Sequence, residues 1–114
     1  MPGREAQAVC GVLQTDLGAT ALGTTVADAY TLKGDITSFT GGAGNSGFKP
    51  PVNSEVGDEF EVANWSGATL IAYPAAADGQ INNNAAGTGI NVADKKTIKI
   101  KLIAPKKWMA VLSA

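Results

Sequence analysis

The feature that most constrains this chain is a set of short runs in which apolar and polar residues alternate, separated by glycine and proline. In Glu59–Val62 a phenylalanine and a valine alternate with two glutamates, and in Thr97–Ile103 isoleucines and a leucine alternate with two lysines. A period of two places the apolar side chains on one face of a β-strand. No stretch of ten residues offers a helical apolar stripe free of glycine and β-branched residues. The sequence therefore predicts an all-β fold.

Shorter candidate strands and turn signals fill the rest of the chain. Strands are also expected in Ala19–Lys33 (one or two), Ile36–Thr40, Thr69–Tyr73, Gln80–Ile81, Gly89–Val92 and Trp108–Leu112. Asn64–Gly67 is predicted to turn a β-hairpin between Glu59–Val62 and Thr69–Tyr73. Gly41–Asn53 is predicted to be a loop, because its four glycines and its pair of adjacent prolines disfavour a regular ladder. This spacing is typical of an antiparallel β-sandwich or a jelly-roll-like barrel.

The length of 114 residues corresponds to one domain with a core of its own. We interpret residues 1–18 as an extended N-terminal arm and residues 19–114 as a single β domain. A short helix over Glu5–Leu13 is the alternative for the arm, and the arm is preferred because the rest of the sequence favours β structure. No run resembles a signal peptide or a membrane span, so we expect neither a secretion signal nor a membrane partner.

The residue types needed for most catalytic and metal sites are missing from the sequence. The chain has no histidine and a single cysteine, Cys10, which excludes an internal disulfide, a Cys/His zinc site and a serine triad around Ser66. Asp58, Glu59 and Glu61 form an acidic cluster. Strand alternation turns Asp58 away from the two glutamates, which disfavours a calcium site or a pair of hydrolytic carboxylates. We therefore expect no enzyme activity, no metal and no cofactor.

Charge is divided unevenly along the chain. Residues 1–94 hold all ten acidic residues and three basic ones, a net charge of −7, whereas residues 95–114 hold six lysines and no acid, a net charge of +6. The total of −1 argues against nonspecific binding to nucleic acid. Lys99 and Lys101 share one strand face, with Lys106 and Lys107 beyond its end. These four lysines are either contacts to an acidic partner surface or a solvated outer face that protects an edge strand.

Other candidate contacts lie outside the lysine-rich segment. Arg4 lies in the predicted arm. Phe48 is a large apolar residue in the predicted loop, where it either folds back onto the core, as we expect, or contacts a partner. Trp65, Tyr73 and Asn83 combine aromatic faces with an amide, as carbohydrate-binding surfaces do. The alternative is that Trp65 flanks the hairpin turn and that Tyr73 packs at a strand end.

A recurring order of turn and core residues runs through the second half of the chain. Its positions are Gly57-Asp58, Phe60, Val62, Asn64, Gly67-Ala68, Leu70, Tyr73-Pro74, Gly79, Ile81-Asn82, Ile90, Val92 and Trp108. This order resembles a pattern found in small structural proteins of tailed bacteriophages and in modules of their head and tail fibres. The resemblance implies a β-rich virion component whose function is binding.

Because the chain shows no long fibre stalk, the resemblance favours a capsid decoration (cement) protein. It implies binding to the major capsid protein across subunit junctions, as a homo-oligomer for which a trimer is favoured over a dimer. The expected location is the capsid surface of the virion, after assembly in the host cytoplasm, without direct contact to nucleic acid. The alternative is a host-attachment or carbohydrate-binding module of a phage head or tail fibre.

Overall fold

The computed structural model describes residues 14–113, which form ten β-strands and contain no helix. The strands are β1 (Thr15–Thr20), β2 (Tyr30–Thr31), β3 (Ile36–Gly41), β4 (Gly47–Lys49), β5 (Glu59–Asn64), β6 (Leu70–Ala72), β7 (Gln80–Ile81), β8 (Ile90–Val92), β9 (Thr97–Ala104) and β10 (Lys107–Leu112). The all-β prediction is confirmed. Within this part of the chain no helix is available that could cross a membrane.

The strands form two sheets, and the first nine strands alternate between them. The large sheet has the order β1-β3-β5-β9-β10-β7, and the small sheet has the order β2-β4-β6-β8. In the large sheet β3 pairs in parallel with both β1 and β5. In the small sheet β4 pairs in parallel with both β2 and β6. The chain therefore winds from one sheet to the other and back, as in a short β-solenoid.

The C-terminal strands follow a different rule. β9 pairs antiparallel with both β5 and β10, and β8 pairs antiparallel with β6. β7 joins the edge of β10 in parallel through two residues. Five of the eight strand pairs in residues 14–113 are thus parallel, so the predicted antiparallel topology, and with it the jelly-roll alternative, is wrong. Within residues 14–113 the connections up to β9 cross from one sheet to the other, and the turn between β9 and β10 reverses the chain within one sheet.

The segment between β5 and β6 is one of these corners. The side-chain amide of Asn64 donates to the carbonyls of Ala68 and Val92, each at 2.8 Å. Its oxygen accepts from the N–H and the hydroxyl of Ser66, at 3.0 and 2.7 Å. Because Asn64 is fully buried, these four hydrogen bonds hold the change of direction in place. The hairpin predicted at Asn64–Gly67 is therefore wrong.

The predicted loop Gly41–Asn53 contains strand β4. Phe48, in the middle of β4, is fully buried and stacks on Phe39 with 4.9 Å between ring centroids. The partner contact considered for Phe48 is therefore wrong, and the expected packing on the core is confirmed. A strand forms here despite the glycines because β4 is enclosed between β2 and β6 and its apolar residue fills the core.

The predicted N-terminal arm is described only in its last residues. Residues 1–13, with Arg4, lie outside the described residues. Thr15–Thr20 forms β1, an edge strand that pairs with β3. The predicted boundary at residue 18 therefore falls inside a strand.

A single apolar core lies between the two sheets. Its fully buried side chains include Leu32, Phe39, Phe48, Val62, Leu70, Ile81, Val92, Ile98 and Ile100. In β5 and β9 the buried residues alternate with exposed or half-buried ones, as the sequence predicted. This alternation leaves one full side of the large sheet turned away from the core.

Candidate binding surfaces

We call the side of the large sheet that is turned away from the small sheet the outer face. It carries alternate residues of the central strands, because their neighbours Phe60, Val62, Ile98 and Ile100 point into the core. The large apolar and charged residues of the outer face are Leu17, Ile36, Glu59, Glu61, Trp65, Lys99, Lys101, Ile103, Met109 and Val111. Trp65 directly follows β5 and continues its ladder, donating its backbone N–H to Phe39.

The lysines of β9 lie on the outer face, as predicted, but they do not form a positive patch. Lys99 Nζ lies 3.7 Å from a carboxylate oxygen of Glu61, and Lys101 Nζ lies 3.9 Å from one of Glu59. The side chains in these pairs are 43% to 60% exposed, so each pair contributes little to folding stability. Along the middle of the outer face, acidic residues on β5 therefore lie beside lysines on β9, and their charges cancel.

Apolar side chains flank these charged pairs on both sides. In the strand register, Ile36 of β3 lies beside Glu61, and Val111 of β10 lies beside Lys99. The four residues form one row across the sheet in the order Ile36, Glu61, Lys99, Val111. In these rows the outer face is therefore charged on β5 and β9 and apolar on the strands beside them.

A second surface, which we call the terminal cleft, opens beside the turn between β9 and β10. It encloses about 560 Å³, and its lining includes Val52, Val56, Ala76, Leu102, Pro105 and Trp108. Leu102 and Trp108 are buried, and Trp108 packs against Phe60 at 6.3 Å between ring centroids. Val52 and Val56 are 78% and 54% exposed. A cleft with this volume and apolar lining is within the range of ligand-binding sites.

Charged groups stand at the rim of the terminal cleft. Lys106 donates a 2.6 Å hydrogen bond to Asp78, and this bond holds the pKa of Asp78 below its ordinary value. Glu55 also belongs to the lining. Lys107 bonds instead to the side-chain oxygen of Gln80 in β7. The four predicted lysines are thus divided between the outer face, the cleft rim and the β7 edge.

The residues considered for carbohydrate binding do not come together. Tyr73 is buried, and its hydroxyl donates to the carbonyl of Thr24 at 2.8 Å. Trp65 is 60% exposed on the outer face. Asn83 is exposed in the turn after β7, and β7 lies three strand positions from β5, roughly 14 Å away. The predicted packing of Tyr73 at a strand end is confirmed, so the three residues do not form a single sugar-binding surface.

Two features were missed in the sequence. The terminal cleft combines segments around residues 52–56, 75–79 and 102–108, which no local pattern connects. Asn82 has a left-handed backbone (φ 53°), and its amide both donates to and accepts from the backbone of Ala110, at 3.1 and 2.9 Å. This side chain occupies part of the open edge of β10. The signal was the run of three asparagines after β7, interpreted only as a turn.

The chain matches no protein-family model, no curated protein and no solved structure. In residues 14–113 no group of three or more acidic, histidine or cysteine side chains is placed to hold a metal ion. What the protein binds is therefore inferred from the outer face and the terminal cleft.

Proposed function

We propose that the protein is a structural virion component that decorates and stabilises a bacteriophage capsid by binding the major capsid protein across subunit junctions, without catalysis. In this proposal the two sheets, including β1, form a sandwich-like domain with two layers. The residues before β1, including Arg4, form an arm that reaches a neighbouring subunit. The resemblance of the second half of the chain to phage structural proteins supports this assignment, as does the kind of surface that the domain exposes.

The observation that carries the proposal is the terminal cleft. Val52 and Val56 present apolar surface to solvent beside the buried Trp108. Contiguous exposed apolar surface with a polar rim marks a site of protein interaction. We assign it to an extended segment of the major capsid protein, with an apolar side chain in the cleft and an acidic group facing Lys106.

Such binding stabilises a shell without any chemical step. A protein that binds the assembled shell but not free subunits shifts the equilibrium towards the shell by mass action. Symmetric repetition over many junctions lets a modest affinity at each site produce a large total effect.

The test mixes the purified protein with undecorated shells of the phage from which the gene comes. We expect cosedimentation and a higher temperature of shell disruption, and we expect Val56→Asp to weaken binding about tenfold or more, because a carboxylate would be desolvated in the cleft. Leu22→Asp is the matched control, since Leu22 is 52% exposed and lies outside the cleft. Failure of the wild-type protein to bind these shells would refute the proposal.

The exposed Trp65 favours a second candidate, a host-attachment module of a head or tail fibre that binds carbohydrate. A Trp that is 60% exposed offers an aromatic face for a sugar ring. Under this alternative, Trp65→Ala abolishes adsorption to host cells or binding to a glycan array. Under the capsid proposal, it leaves both unchanged.

A further inference from the structure

We propose that two copies of this chain pair through their outer faces, about a two-fold axis that runs parallel to β5 and β9 and passes between them. The inference concerns self-association alone, so it holds or fails independently of capsid binding.

The first observation is where exposed apolar side chains gather. Six of the ten exposed large apolar side chains in residues 14–113 lie on the outer face, and they are Leu17, Ile36, Trp65, Ile103, Met109 and Val111. Their exposed fractions run from 37% for Ile36 to 70% for Leu17. Soluble monomers rarely leave so many large apolar groups on one face, and such patches mark protein interfaces.

The second observation is that this face is complementary to itself. In the order β1-β3-β5-β9-β10-β7, three strands lie on each side of the line between β5 and β9. A two-fold axis along that line places β5 of one copy over β9 of the other, and β3 over β10. The strand direction and the position along each strand are preserved.

The row of four residues then matches in both charge and hydrophobicity. Glu61 lies over Lys99 of the second copy, and Ile36 lies over Val111 of the second copy, because the row runs Ile36, Glu61, Lys99, Val111. In the next row Glu59 lies over Lys101 of the second copy. Each carboxylate would then contact one lysine of its own chain and one of the other chain.

The area of the outer face determines the affinity expected for the dimer. The axis overlays four strands, β3, β5, β9 and β10, on their counterparts. Four strands and six residues give a face of roughly 19 by 20 Å, so pairing buries on the order of 800 Å² in total, the size of a weak, transient interface. Two twisted sheets pack face to face with their strands inclined by up to about 30°, so the axis lies within about 15° of the strand direction. Desolvation of the charged midline offsets part of the apolar gain, so we expect a dissociation constant on the order of 10 µM.

Pairing by the face is favoured over pairing by the β10 edge. An exposed edge strand can add a strand from another molecule through its free backbone groups. In β10, however, Asn82 already bonds both backbone groups of Ala110 and so interrupts that edge. The exposed side chains of Met109 and Val111 point out of the sheet, where only a second layer can cover them.

The experiment uses two charge-reversed variants and their mixture. Glu59→Lys with Glu61→Lys makes all four midline charges positive, and Lys99→Glu with Lys101→Glu makes them all negative. We expect the wild-type protein to dimerise in sedimentation velocity across a concentration series. Each variant alone should dimerise about tenfold more weakly or not at all, because like charges would face each other. The equimolar mixture should form a heterodimer that weakens as salt is raised.

Dimerisation that is lost in each variant and restored in the mixture identifies a disrupted interface, because a misfolded variant would not be rescued by the other variant. Thermal unfolding of each variant provides the folding control. A wild-type protein that remains monomeric, a trimer, or a mixture that remains monomeric while both variants are folded would overturn the proposal. Val111→Ser, outside the charged midline, should weaken the wild-type dimer without affecting the fold.

Discussion

The two halves of the molecule are built in different ways. In the wound half, strands β1 to β6, the neighbouring strands of each sheet pair in parallel and no strand exceeds six residues. Its shape is held at the corners by buried contacts. Asn64 makes four hydrogen bonds there, and the ring of Tyr73 passes so close to Gly47 that an added Cβ would lie 2.4 Å from it.

In the hairpin half, strands β7 to β10, the long strands β9 and β10 hold each other by ordinary antiparallel pairing. Their inner residues, such as Ile100 and Trp108, join the core, and their outer residues remain in solvent. Within residues 14–113, Lys99 and Lys101 are paired with the exposed acids Glu61 and Glu59.

Because of this difference, we expect the buried corner residues to determine folding stability and the exposed outer residues to determine binding. A corner residue that is buried and fully bonded has few tolerable replacements, so substitutions at the corners of the wound half should lower the free energy of unfolding. Outer residues of the hairpin half contact solvent or exposed groups, so their replacement should change association and leave folding nearly intact. Three predictions test this division, in order of decreasing effect.

The largest effect is expected for Asn64→Ala, which should lower the free energy of unfolding by about 3 kcal/mol. The substitution leaves the carbonyls of Ala68 and Val92 and the N–H of Ser66 without the partner that Asn64 provides. Urea unfolding followed by tryptophan fluorescence measures the change.

Asn91→Ala is the matched control from the hairpin half, because Asn91 is exposed in β8. It should change the free energy of unfolding by less than about 0.5 kcal/mol. Equal losses for the two variants would contradict the division between the halves.

The sequence predicted the hairpin half better than the wound half for a physical reason. β9 and β10 are specified by local alternation and by the Pro105-Lys106 turn, and both were predicted within one residue. The corner at residues 65–69 contains the same turn-forming residue types as a hairpin. The buried hydrogen bonds of Asn64 determine whether the chain returns in the same sheet or crosses to the other. The alternation of apolar and polar residues carries no information about these bonds.

The candidate sites follow the same rule. The common face of Lys99 and Lys101 follows from spacing alone and was predicted. Their neutralisation by Glu61 and Glu59 depends on the pairing of β5 with β9, which joins residues about forty positions apart in sequence. The terminal cleft depends on three such distant segments, so no local pattern indicated it.

The second prediction concerns Gly47 in β4. A Cβ at this position would lie 2.4 Å from one carbon of the Tyr73 ring and 2.8 Å from another. Tyr73 is buried, with its hydroxyl bonded to Thr24, so the ring cannot move aside freely. Gly47→Ala should therefore lower the free energy of unfolding by about 2 kcal/mol, as overpacking does.

Gly44→Ala is the control for this substitution. Gly44 lies three residues earlier, and an added Cβ there would meet no atom within 4 Å. Its substitution should leave the protein unchanged or stabilise it by about 0.5 kcal/mol through the unfolded state. A Gly47→Ala protein as stable as Gly44→Ala would show that the Tyr73 ring has room to shift.

The smallest effect is expected from Tyr30, whose contact with Asp16 joins the two sheets in the wound half and makes the folding stability depend on pH. Burial, together with a hydrogen bond donated to Asp16, raises the pKa of Tyr30 to about 12. In the unfolded chain the pKa of a tyrosine is about 10, so the folded state holds this proton more tightly. The resulting stabilisation is complete below about pH 10 and is lost as the pH rises towards 12.

Tyr30→Phe has no phenolic proton to lose. The free energy of unfolding of the wild type relative to this variant, measured by urea unfolding, should therefore fall between pH 10 and pH 12. Parallel curves for the two proteins between pH 9 and pH 12 would show that the contact between Tyr30 and Asp16 does not contribute to holding β1 and β2 together.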